Sequence, residues 1–140
     1  MPSIFLLLLL ILLVILSGFL SGSETAITAT SKARILYKKK KGSKRAGYVL
    51  DLLDKKDNVI STLLLSNNLV NILASSLATA FFYDIFGVEG IFYATLIMTV
   101  VIVIFAEVLP KTYAINRPNR TALLISPIIY YLNKILFIFV

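Results

Sequence analysis

The sequence contains no cysteine and no histidine. Those two absences exclude disulfides, thiolate nucleophiles, imidazole bases and the usual nitrogen and sulfur ligands of Zn²⁺ or Cu²⁺. Only oxygen chemistry is left. Acidic residues are scarce as well, 7 Asp and Glu against 14 Lys and Arg. Charge of either sign makes up 15% of the 140 residues and hydrophobic residues 59%, with a mean hydropathy of +0.91. A soluble domain of that size could not be coated with so little polar surface, so part of its solvent must be lipid. No nucleophile and base fall together at one place in the chain, and an enzyme is not expected.

Residues 2–16 are an almost unbroken run of Leu, Ile and Val, and only small polar residues and Glu24 interrupt the apolar character before Lys32. A first span over about residues 3–30 follows, long enough to cross a hydrocarbon core of about 30 Å with tilt. A cleaved leader is the competing reading of this stretch, but nothing basic precedes the apolar run and the segment after Ser17 stays membrane-compatible. Residues 32–57 form the one strongly polar stretch and hold ten of the fourteen basic residues, with two short helices expected on either side of Gly42-Ser43. A second span is predicted over 59–83 and a third over 90–115, joined by a turn from Asp84 to Gly90 that carries no Lys or Arg. The fold class is therefore all-α integral membrane, with three transmembrane helices and short juxtamembrane helices.

Charge asymmetry orients it. The basic segment and the basic end of the third span (Lys111, Arg117, Arg120) lie on one side, and the uncharged N-terminus and acidic turn on the other. The positive-inside rule puts the N-terminus outside and 32–57 in the cytoplasm, in an inner or plasma membrane. The net charge of +7 is then a matter of topology and of attraction to anionic lipid, and nucleic acid is not an expected partner. Residues 121–140 are apolar but carry Pro127, Asn133 and Lys134, and an interfacial helix is favoured there over a fourth span. The chain stops at Phe137-Ile138-Phe139-Val140 without a polar cap, and reads as cut from something longer.

Ionisable and amide groups inside a bilayer are costly, so an intramembrane carboxylate is a functional hypothesis by default. Glu107 is that group. Pro110, three residues on, has no N–H for the carbonyl of Ala106, which leaves a backbone oxygen beside the carboxylate. Asn67, Asn68 and Asn71 cluster in the second span, and Ser17 and Ser21 share a face of the first. Ser21 is 11 residues from Lys32, Asn68 is 11 from Asp57 and Glu107 is 10 from Arg117. At about 1.5 Å per residue each lies roughly 15 Å from the charged boundary. Hydroxyl, amide oxygen, freed carbonyl and carboxylate form the ligand set of a hard cation, Mg²⁺ or Ca²⁺, or Na⁺ where less charge is wanted. Ser17, Ser21, Asn68, Asn71, Ala106 and Glu107 are the candidate ligands, with the choice among the three asparagines open. The bland readings are helix packing through Ser17, Gly18, Ser21 and Gly22, interhelical amide hydrogen bonds, and a Glu107–Lys111 ion pair.

Three stretches carry a resemblance. Ser17-Gly18-Phe19-Leu20-Ser21-Gly22-Ser23-Glu24-Thr25-Ala26, Leu65-Ser66-Asn67-Asn68-Leu69-Val70-Asn71-Ile72 and Ala106-Glu107-Val108-Leu109-Pro110-Lys111-Thr112 resemble, in order and spacing, motifs of the transmembrane (DUF21) domain of the CorC/CNNM family of Mg²⁺ transporters. Members usually have Gly where Ala106 stands. The resemblance implies a homodimer of three-span subunits that binds a largely dehydrated Mg²⁺ through the serines, asparagine and glutamate of these motifs. It also implies Mg²⁺ export with Na⁺ as the driving ion, and cytoplasmic CBS domains that bind ATP and are not part of this sequence. A membrane scaffold or regulatory subunit without transport is the alternative function.

Overall fold

The computed structural model describes residues 2–136, with side chains from Ile4 onward. Among these residues every element is helical: α1 (Pro2–Ala29), α2 (Lys32–Lys40), α3 (Lys44–Asp54), α4 (Lys56–Phe86), α5 (Glu89–Val101), a π-helical segment (Ile102–Val108), α6 (Leu109–Asn116) and α7 (Pro118–Leu136). Three rods are long and apolar enough to cross a membrane: Ile4–Ala29, Lys56–Phe86, and Glu89–Asn116, which runs through α5, the π segment and α6. The 31 residues of α4 extend about 46 Å at 1.5 Å each, which carries the second span a turn past both predicted ends.

The packing is inverted relative to a water-soluble protein. Ser17, Ser21, Ser23, Thr62 and Asn67 are buried, while Phe5, Leu8, Ile15, Leu65, Leu69, Ile72 and Phe92 face outward. In lipid the apolar residues lose nothing by exposure, and helices associate through small residues and hydrogen bonds instead. This chain is a multi-pass membrane protein. α1 is the central rod, packed on α4 along one side and on the π segment and α6 along another. The α4–α5 turn depends on two glycines. Gly87 sits at φ +74, a left-handed conformation that a side chain disfavours, and a Cβ on Gly90 would collide with the Phe82 carbonyl.

The polar segment forms a platform at one end of the rods. Ser31 and Ser43 cap α2 and α3 by accepting the N–H groups of Arg34 and Ala46. Ile35, Ala46, Val49 and Leu52 of these two helices join Ile27 of α1, Val59 and Leu63 of α4, and Ala122, Ile125 and Ile129 of α7 in one core. Asn119 fixes the start of α7, its amide oxygen accepting from the Thr30 hydroxyl (2.6 Å) and the Ser31 N–H (2.8 Å). From there α7 runs beside α3, with Ser126 donating to the Arg45 carbonyl and Tyr130 packed 4.8 Å from Tyr48 between ring centroids. α3 carries Lys44, Arg45, Asp51 and Asp54, which no hydrocarbon core accommodates, and α7 packs along it. The last four residues of the predicted 121–140 helix lie outside the described residues.

Candidate cation site

The site forms where α1, α4 and the third rod meet. Successive residues of α1 serve two partners: Ser17 and Ser21 turn to α4, and Gly18 and Gly22 to the third rod. Ser17 Oγ lies 2.6 Å from Asn67 Oδ1 and 2.5 Å from Asn71 Oδ1, and Asn67 Nδ2 donates to Ser21 Oγ at 3.2 Å. Ser17, Ser21 and Asn67 are buried, and Asn71 is half-buried.

A serine hydroxyl has one proton. It can satisfy one of the two amide oxygens, so three oxygens converge at Ser17 with a single proton among them. Oxygen lone pairs left facing one another are an unfavourable arrangement that a cation relieves. Turning the Asn71 amide over, so that its NH₂ donates to Ser17, relieves it equally well and yields a self-contained packing network.

The third rod supplies the other face. The Leu109 N–H bonds to the Ile104 carbonyl five residues back, the hydrogen-bond step of a π-helix. The sequence argument placed the carbonyl deprived by Pro110 at Ala106, on an α-helical count of four. In the π register the same shortage falls one residue earlier, on Phe105. That carbonyl oxygen lies 3.1 Å from where a Cβ on Gly18 would stand, with the Pro110 ring at 3.2 Å. Ala106 is fully buried, its Cα 3.8 Å from the same point.

Glu107 follows directly. It is half-buried and makes no hydrogen bond or ion pair with any described residue, so the pairing with Lys111 that a structural carboxylate would adopt does not form. Lys111 lies instead within electrostatic reach of Glu24 on α1. No three acidic residues converge among the described residues, so a bound cation would be held mostly by neutral oxygens.

Of the predicted ligands, the structure brings Ser17, Ser21 and Asn71 together and packs Ala106 against the glycine next to Ser17. Asn68 lies on the exposed side of α4, and Asn67 holds the central position. The signal for Asn67 was in the sequence. Leu63, Asn67, Asn71, Ala74 and Ala78 recur every three or four residues, and the small Ala74 and Ala78 mark the packed face. Nothing in local sequence pattern marks the π register.

The profile of the CNNM family, described as the cyclin M transmembrane N-terminal domain, matches residues 8–140. The chain belongs to the CNNM family. Among curated relatives it is 39% identical over 131 residues to the UPF0053 inner membrane protein YfjD of Escherichia coli (strain K12), covering 86% of this chain and 31% of that protein. A UPF0053 protein of Haemophilus influenzae is 36% identical over 132 residues, 94% of this chain and 31% of its own length. A putative chloroplastic DUF21 domain-containing protein of Arabidopsis thaliana is 32% identical over 124 residues, covering 87% of this chain and 18% of the relative. The chain thus spans less than a third of the length of the relatives it matches, and the CNNM match coincides with its membrane-spanning region.

Proposed function

We propose that this CNNM membrane domain transports Mg²⁺ across the bilayer, binding the ion between α1, α4 and the π segment. The observation that carries the reading is the convergence of Ser17, Asn67 and Asn71 oxygens on a single proton; the π segment packed on the next residue of α1 carries a half-buried Glu107 without a partner among the described residues. Hydroxyl and amide oxygens replace part of the hydration shell, and Glu107 supplies charge. With one carboxylate per subunit the ion is held chiefly by geometry and can leave again, as transport requires. The platform of α2, α3 and α7 faces the cytoplasm, α7 lies in the membrane interface, and the N-terminus is outside. Three spans cannot enclose a hydrated path by themselves, and a homodimer is the working unit. Export driven by Na⁺ is the direction that the family resemblance implies.

The test is Mg²⁺ flux from proteoliposomes, with and without an opposing Na⁺ gradient. Flux above protein-free vesicles supports transport, and dependence on the gradient supports coupling. The alternative is a scaffold in which the turned Asn71 amide completes a hydrogen-bonded network. Ligand linkage separates the two: a cation site gains thermal stability as Mg²⁺ rises, and a packing network does not.

A further inference from the structure

Away from the cation site, the platform contains a polar cavity of about 120 Å³ between the end of α3 and the second half of α7, lined by Asp51, Leu52, Lys55, Tyr130, Asn133 and Lys134. Asn133 is 6% exposed, and its side-chain oxygen, buried on the cavity wall, has no hydrogen-bond partner. A buried amide oxygen without a donor is uncommon, because leaving it unpaired costs about 1–3 kcal/mol. The cavity offers two kinds of recognition. Lys55 and Lys134 are exposed cations at its rim, while the Asn133 oxygen and the Asp51 carboxylate are acceptors that call for a hydrogen-bond donor.

The location adds a second constraint. Lys55 immediately precedes α4, at the polar mouth of the second membrane rod, where lipid headgroups lie. α7 exposes Leu124, Ile128 and Ile135 nearby, an apolar surface suited to acyl chains. A volume of about 120 Å³ is room for roughly four waters at about 30 Å³ each, enough for the donor end of a headgroup whose phosphate stays at the rim and too little for a chain. Inorganic phosphate would satisfy the lysines but meet Asp51 with like charge and leave Asn133 unpaired. We propose that this cavity binds a phospholipid headgroup that joins a phosphodiester to a hydrogen-bond donor, a hydroxyl as in phosphatidylglycerol or a primary ammonium as in phosphatidylethanolamine. The phosphate sits between Lys55 and Lys134, and the donor reaches Asn133 and Asp51. Bound lipid then pins α7 to α3 at the membrane surface.

Phosphatidylcholine is the discriminating probe, since it has the charge of phosphatidylethanolamine but no donor on its headgroup. The delipidated 140-residue chain is titrated in detergent with each of the three lipids at matched acyl chains, and with glycerol 3-phosphate and inorganic phosphate, and bound species are counted by native mass spectrometry. Saturable binding of phosphatidylglycerol and phosphatidylethanolamine is expected, with phosphatidylcholine weaker by tenfold or more, on the order of one lost charge-assisted hydrogen bond. Lys55→Gln with Lys134→Gln, both exposed positions that folding tolerates, removes the binding; Asn133→Leu removes the preference over phosphatidylcholine. Lys39→Gln, in the basic run of α2, changes neither. Equal binding of all three lipids, unchanged binding in the double variant, an equal loss in Lys39→Gln, or binding of the soluble phosphates without the lipids would each overturn the proposal. None of these readouts depends on Mg²⁺ transport.

Discussion

Asn67→Ala compared with Asn68→Ala asks which of two adjacent amides the site uses. Asn67 is buried, accepts from Ser17 at 2.6 Å and donates to Ser21 at 3.2 Å, whereas Asn68 is exposed. Interhelical hydrogen bonds in a bilayer average about 0.6 kcal/mol and reach about 1.7. Losing two of them therefore destabilises Asn67→Ala by about 1–2 kcal/mol, while Asn68→Ala stays within about 0.5 kcal/mol of wild type, as exposed substitutions do. Thermal unfolding in detergent without divalent ions reads this first difference. Mg²⁺ titration reads the second: removing one neutral oxygen ligand is worth about 0.5–1.5 kcal/mol, or roughly a two- to tenfold weaker apparent affinity, and only Asn67→Ala should show it. If Asn68→Ala were the more damaging variant in both assays, the assignment of Asn67 to the centre of the site would be wrong. Normal stability with weakened Mg²⁺ response in Asn68→Ala alone would move the ion to the exposed side of α4.

Glu107→Gln keeps shape but removes the charge: it should be at least as stable as wild type without Mg²⁺, because a half-buried charge without a partner is unfavourable, and should weaken the apparent Mg²⁺ affinity by about 10- to 150-fold. A wild-type titration and flux would remove Glu107 from the site. Single cysteines at Ser43 and Glu89 should react with impermeant reagents from opposite faces of sealed vesicles, and labelling of both from one face would refute the proposed orientation. Gly18→Ala should destabilise by about 1–3 kcal/mol, since its Cβ would crowd the Phe105 carbonyl at 3.1 Å and the Pro110 ring at 3.2 Å, whereas Gly22→Ala, with nothing nearer than 3.5 Å, should be nearly neutral. Equal unfolding temperatures for the two would contradict the close approach at Gly18.

Much of the architecture could be read from the chain because lipid imposes simple rules. An apolar stretch that continues well past Leu16 is longer than a leader needs and long enough to span, and ten basic residues between Lys32 and Lys56 cannot lie in hydrocarbon. The common depth of Ser21, the asparagines and Glu107 was likewise a matter of counting, and the Asn67–Ser21 bond together with the packing of Gly18 on Phe105 and Ala106 places these motifs side by side. The choice of Asn67 over Asn68 was harder. Adjacent residues on a helix differ by about 100° in direction, so identical side chains one position apart are separated only by which face is packed. The packed face is a tertiary matter, and the sequence marks it only indirectly, through the small Ala74 and Ala78 two and three turns on.

The π segment was illegible for a different reason. Pro110 announces that some carbonyl lacks a donor, but an α-helix assigns the shortage to Ala106 and a π-helix to Phe105, and proline is compatible with both. The choice rests with the neighbour. Gly18 presents no side chain at the point where the third rod approaches most closely, so the Phe105 carbonyl and the Pro110 ring fit against bare α1 backbone next to Ser17. The same fit answers the departure at residue 106, where CNNM relatives were expected to have glycine. Ala106 is fully buried here, and close approach is retained because the glycine on the α1 side accommodates it. Pro110 and Gly18 act as one device: the proline withholds a hydrogen bond within its own helix, and the glycine lets the resulting backbone oxygen come against the glycine face of α1, one residue from Ser17.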